Sequence, residues 1–180
     1  MEAFMDTLTT INQRHAIRNY TGAKPTTEQL KQILTAAESA PVAMGQFERY
    51  HLTVIEDPDT LAAINTAAAA AFHGDGGPML YGAPVFVLVS VDANGGELSN
   101  ADYSSAAIIA HTMALAATDL GLGTCYIWGA VAGLVQSPDT VAQLQLPAGF
   151  VPTCGITLGP TTEQYAPRPV DEHRIGVTQL

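Results

Sequence analysis

At 180 residues, with a formal net charge of −10 and 47% hydrophobic against 13% charged residues, the chain suits one compact domain over 1–180 with a sizeable core. This balance excludes disorder and favours a buried oligomer interface, while the acidity argues against nucleic acid and anionic membrane surfaces, which are held by clustered Lys and Arg. Apolar central stretches are broken by Asp102, His111 and Asp119 and no basic start leads into an apolar run, so neither a membrane span nor a leader is expected, and the cytoplasm is the default location.

In chain order, Phe4, Met5, Leu8 and Ile11 recur at helical spacing and predict an amphipathic helix over 2–13 that delivers Arg14 at its end. Thr26 with Gln29 three positions on forms a capping-box pattern behind Pro25, opening a helix to about Ser39 that Ala40-Pro41 stops. "YHLTVIED" from Tyr50 reads as a strand, and Asp57-Pro58 opens a further helix running through the alanines 67–71. "HGDGGPMLYG" is loop. "APVFVLVSVD" is a continuous apolar strand of the kind buried on both faces, and "NGGELSN" is a surface turn. Residues 102–120 form a central helix, apolar almost all round and stopped by Gly121. Ser137-Pro138 starts a short helix to about Leu144, "TCGITLG" is a buried strand, and a polar tail from Arg168 ends in the strand-like "RIGVTQL". Helices and strands alternate without a regular βαβ repeat, which predicts an α+β fold with a mixed sheet covered by helices on both faces.

Cys125 and Cys154 lie in apolar surroundings and are read as core thiols in preference to a disulfide. The five histidines (15, 51, 73, 111 and 173) show no metal-ligand spacing, and His111 is read as a satisfied core histidine. "LGLGTCY" starts like a dinucleotide fingerprint, but Tyr126 stands at the third glycine and the run follows a helix, so a Rossmann reading fails.

The seven cations are Arg14, Arg18, Lys24, Lys31, Arg49, Arg168 and Arg174, with none between 50 and 167. If the fold joins the chain ends, these residues form one anion site; on spacing alone, solvated charge at less buried ends is the preferred reading.

"RHAIRNYTGAKPTTEQLKQILTAAESAP" resembles the opening of the FMN-dependent nitroreductase family, in which a first helix leads to an arginine, a serine two residues on, a further basic residue and then an aromatic. "GAPVFVLVS", "AIIAHTMALAATDLGLGTCYIWG" and "LPAGFVPTCGITLG" are similar to that family's apolar strand, its central helix with the segment under the flavin, and its next strand. The resemblance implies a three-layer α/β/α sandwich and a homodimer whose C-terminal segments embrace the partner, with two FMN sites at the interface. It also implies hydride transfer from NADH or NADPH to a small-molecule acceptor such as a nitroaromatic or quinone. Carried over by position, Arg14, His15, Ala16 and Arg18 meet the FMN phosphate and ribityl chain, and Arg168 or, by preference, Arg174 adds a further phosphate ligand.

In "PVAMGQFERY" the family's Pro is kept as Pro41, while Val42, Gly45, Phe47 and Arg49 stand where it has Ser, Asn, Gln and Trp. Contacts from Pro41, Val42, Ala43 and Gly45 to the partner's flavin would therefore run through the main chain. The resemblance further implies that the Trp128 and Gly129 backbone N–H groups lie near the flavin N5 and O4; apart from that role, Trp128 reads as a packing residue at a strand end. No catalytic side chain and no metal are assigned. Two other functions remain open: a flavin-binding or sequestering dimer without nicotinamide-dependent turnover, and a family branch acting on halogenated substrates or on flavin itself.

Overall fold

Four strands, β1 (Tyr50–Ile55), β2 (Val85–Asp92), β3 (Gly123–Ile127) and β4 (Phe150–Gly159), form one sheet in the order β1-β2-β4-β3. The computed structural model describes residues 6–72, 78–170 and 174–180. All three strand pairings are antiparallel, which corrects the expectation of a mixed sheet. Buried apolar runs mark strands covered on both faces but do not encode pairing direction, which the connections set. The terminal "RIGVTQL" takes no regular structure and is exposed.

The helices are α1 (Thr7–Gln13), α2 (Thr27–Glu38), α3 (Pro58–Ala71), α4 (Asn100–Asp119), α5 (Gly129–Leu134) and α6 (Pro138–Gln143). Residues 2–5 of the expected first helix lie outside the described residues; the described part starts where the Asp6 carboxylate accepts from the Thr9 N–H. The Thr26–Gln29 capping box forms as expected, and Asp57 caps α3 ahead of Pro58. A second box, Ser99 with Asp102, starts α4 two residues before the expected position. Asp is uncommon as the reciprocal partner in such a box, which explains the shorter expectation.

β2 has alternating faces, and each supplies a separate core. Val85, Val87, Val89 and Val91 pack with Ile33 of α2 and with Ile109 and Met113 of α4. Phe86 and Leu88 pack on the other face with Ile64 of α3 and with Val131 and Leu134 of α5. Both faces are covered, as the continuous apolar run implied. Phe86 is fully buried, so truncating it to Ala removes about 3–5 kcal/mol. Gly155 makes room for it: a Cβ there would sit 2.5 Å from the Val87 carbonyl oxygen and 2.7 Å from the Phe86 ring.

The long helix α4 is less enclosed than its composition suggests. Ala106, Ala110, Met113 and Ala117 face the sheet, but Tyr103, Ser104, Ile108 and His111 are exposed along one side. His111 is therefore corrected from a core histidine to one on the open face, where partial desolvation first, and the Arg14 charge second, hold its pKa below the ordinary value.

Candidate functional site

The stretch 14–21 leaves α1 and runs along the outer edge of β3. The Ile17 N–H donates to the Thr124 carbonyl at 2.9 Å, and the Thr21 N–H donates at 2.9 Å to the carbonyl of Pro160, just past the end of β4 where it pairs with the start of β3. The segment thus runs antiparallel to β3. Ile17 is fully buried, and Gly123 leaves it space, since a Cβ there would lie 2.8 Å from Ile17 Cγ2. The Tyr20 hydroxyl donates to the Ile17 carbonyl at 2.9 Å and meets the Thr157 hydroxyl at 2.6 Å, fixing the turn from inside.

The two charged ends of the chain meet at this edge. The Arg168 Nε–H donates to the Asn12 carbonyl at 3.0 Å, the Thr161 hydroxyl donates to the Asn19 carbonyl at 2.8 Å, and the Tyr165 hydroxyl donates to the Leu122 carbonyl at 2.8 Å. His15 stands between them, its ring edge-on to Tyr165 with centroids 5.3 Å apart and its Nε2 3.6 Å from a Glu163 carboxylate oxygen. Arg174 lies farther on, in the exposed tail. The structure therefore brings Arg168 to the α1 exit, while Arg174 is not tied there by a described contact.

Two other cations are engaged elsewhere: Lys24 lies 3.9 Å from Glu56, and Arg49 lies 2.8 Å from Asp102. Among the described residues, no carboxylate forms an ion pair with Arg14 or Arg18. The exposed Arg18 guanidinium lies 5.3 Å from the Tyr81 ring centroid, and Tyr81 first, then Cys125, raise its pKa. Burial pushes the Cys125 thiol up, opposed by the charges of Arg18 and Arg14. Both cysteines are buried and free, as expected, so Cys125 is an uncharged wall beside the guanidinium groups. Ala16 packs against the apolar cluster that contains Cys125 and Ile127.

At its far end β3 turns into α5. Trp128 is the N-cap, so the first N–H groups of that helix, Gly129 included, have no acceptor within it. Trp128 is 59% exposed, which corrects its reading as a packing residue. Beside it a cavity of about 390 Å³ is lined by Tyr103, Ser104, Ala107, Tyr126, Trp128, Thr153 and Cys154. Its aromatic walls, and a volume at the lower end of the usual ligand range, suit a planar group. Neither α5 nor this cavity was marked in the sequence; only the aromatics Tyr126 and Trp128, followed by Gly129, hinted at it.

A strap over residues 41–49 approaches the start of α4. Met44 and Gly45 take left-handed conformations, φ 55° and 67°, and in Met44 this costs about 1–2 kcal/mol. The Ala43 N–H donates to the buried Ser105 hydroxyl at 3.0 Å. Farther along, Arg49 reaches Asp102 with one guanidinium nitrogen and the Asp92 carbonyl with another, at 2.8 and 2.9 Å. Pro41 and Gly45 are exposed, while Val42 and Ala43 are half-buried. Of the four positions expected at a cofactor, none offers a hydrogen-bonding side chain, so polar recognition by them rests on the main chain.

The profile of the nitroreductase family matches residues 11–159. The chain is 28% identical over 182 residues to the FMN reductase (NAD(P)H) of Bacillus subtilis (strain 168), covering 91% of this chain and 69% of that protein. Among solved structures it is similar to a nitroreductase with bound FMN from Desulfitobacterium hafniense DCB-2, with a TM-score of 0.84, 22% identity, and coverage of 98% of this chain and 100% of that one. A nitroreductase with bound FMN from Bacteroides fragilis NCTC 9343 gives a TM-score of 0.82 at 23% identity, with coverage of 97% and 100%. These likenesses establish the fold.

Proposed function

Because the chain belongs to the nitroreductase family, we propose that residues 1–180 act as one domain of an FMN-dependent oxidoreductase, using NADH or NADPH and an electron-poor acceptor such as a nitroaromatic or quinone. The observation that carries this reading is the β3 edge, where Arg14 and Arg18, without carboxylate partners among the described residues, stand with Arg168 in an acidic protein. The residues fit the cofactor. Guanidinium groups offer paired donors of fixed geometry to phosphate oxygens, and the strand leads from them toward exposed aromatics and backbone N–H donors at Trp128 and Gly129. When bound, FMN would supply the two-electron, hydride-level redox chemistry that links nicotinamide to acceptor.

Arg14 and Arg18 hold the phosphate, with His15 and Arg168 beside them and Arg174 as a further cation from the tail. The Trp128 and Gly129 N–H groups hydrogen-bond at the ring end and favour its electron-rich form. Tyr103, Tyr126 and Trp128 shield the ring from water, and no side chain of this set acts as a catalytic acid. The open side of α4, with Tyr103 and Ile108 exposed, supports a homodimer in which Pro41, Val42, Ala43 and Gly45 reach the partner's flavin and the 174–180 tail embraces the partner. Light scattering at low micromolar concentration tests that state, and a monomer would reject it. Among the described residues no helix is long and apolar enough to cross a membrane, and we place the protein in the cytoplasm.

The deciding experiment mixes purified protein with FMN and follows the flavin absorption band anaerobically on adding NADH or NADPH. Bleaching by either is the expected result. Protein that stays colourless and shows no heat of binding with FMN would overturn the reading, and flavin that binds but is not bleached would leave a sequestering dimer.

A further inference from the structure

We propose that Arg49 and Asp102 are positioning residues that hold the 42–45 main chain in its flavin-binding shape; this rests on the function proposed above. Val42, Ala43, Met44 and Gly45 have no side chain able to hydrogen-bond a cofactor, so the position of their backbone decides what they contribute. That backbone is bent through two consecutive left-handed residues, Met44 among them. A non-glycine residue keeps such a conformation only where its surroundings enforce it. The anchors lie on either side of the bend: the Ser105 hydroxyl holds Ala43 before it, and Arg49 closes it after.

Asp102 joins the strap to the helix. Its Oδ2 accepts from the Ser99 N–H at 2.8 Å and from the Ser99 hydroxyl at 2.7 Å, capping α4. Oδ1 faces Arg49 at 2.8 Å. The Asp102 side chain is 4% exposed, so its carboxylate needs the guanidinium, and the guanidinium in turn is oriented by the Asp92 carbonyl at 2.9 Å. One buried carboxylate thus fixes both the start of α4 and the end of the strap. The first turns of α4 also supply Tyr103 and Ser104 to the 390 Å³ cavity, so strap and cavity wall share a single reference point.

The test compares FMN dissociation constants, read by quenching of flavin fluorescence, with melting temperatures for Arg49→Met and Arg49→Lys. Loss of the pair in Arg49→Met should weaken FMN at least about tenfold, the scale of one or two misplaced main-chain hydrogen bonds. Arg49→Lys, which keeps the charge toward Asp102, should lie closer to the parent. Parental affinity in Arg49→Met, whatever its melting temperature, would overturn the proposal, and so would equal weakening in both variants. Should Arg49→Met not fold, Asp102→Asn decides in its place: weaker FMN supports the pair and parental affinity rejects it. Failure of the unaltered protein to bind FMN overturns the underlying function, whereas failure of these variants to weaken binding overturns only the positioning role.

Discussion

At the β3 edge the polar chemistry sits in side chains: Arg14, Arg18 and Arg168 present charge directly, and backbone hydrogen bonds from Ile17 and Thr21 merely carry them. Along the 41–49 strap the arrangement is inverted. There the main chain presents the donors and acceptors, while the charged side chains, Arg49 and Asp102, are turned inward to hold it. The first design tolerates movement of the backbone by a fraction of an ångström, because long side chains readjust. The second does not, so its specificity depends on anchors remote from any ligand.

The largest effect should come from Arg14→Ala with Arg18→Ala. Each hydrogen-bonded charge contributes about 1.5–3 kcal/mol, so the pair should weaken FMN by roughly a hundredfold to ten-thousandfold with little change in melting temperature. Isothermal titration would show it; a loss under tenfold would mean the edge does not bind by side-chain charge. Gly123→Ala attacks the same region through its backbone, since the new Cβ would meet Ile17 Cγ2 at 2.8 Å, Thr161 Cβ at 3.1 Å and the Gly159 carbonyl at 3.2 Å. Overpacking of this kind costs about 1–3 kcal/mol, read as a lower urea midpoint.

On the strap side, Ser105→Ala removes the acceptor of the Ala43 N–H, worth about 0.5–1.5 kcal/mol, and should loosen FMN by several-fold through main-chain movement alone. The smallest effect concerns acid. Burial raises the Asp102 pKa, but the Ser99 donors and Arg49 outweigh it and hold the folded value below 3.8. A depressed folded pKa contributes stability that is fully present above 3.8 and is lost as pH falls through the lower folded value. Asp102→Asn should therefore flatten part of the decline in urea midpoint below about pH 4. The rest belongs to groups such as the caps Asp6 and Asp57, held low by Thr9 and Thr60. An unchanged slope would remove Asp102 from the linkage.

Elements whose signals are local were legible in the sequence. The Thr26–Gln29 box, Asp57-Pro58 and the β2 run each place their determinants within a few residues, and each forms as read. The clustering of cations at the chain ends was equally visible, but that the ends meet depends on Tyr165 and Arg168 finding partners 43 and 156 residues away. Pairing direction in the sheet was missed for the same reason. Arg49 read only as a departure from a family pattern, because its partner lies on another helix, and Asp102 read as an interruption of an apolar stretch. His111 was read as a core residue and Trp128 as packing at a strand end from their apolar surroundings, whereas exposure depends on which face the neighbouring elements leave open.

A strand at the border of a sheet offers unpaired backbone groups to any other chain, and β3 is such a strand. The 17–21 stretch lies across it, held in place by Thr161 and hence by the segment following β4. The anchoring that gathers positive charge also shields that edge from uncontrolled strand-to-strand pairing. Trimming the chain after Gly159 should therefore first appear as turbidity on storage, before cofactor affinity is measured at all.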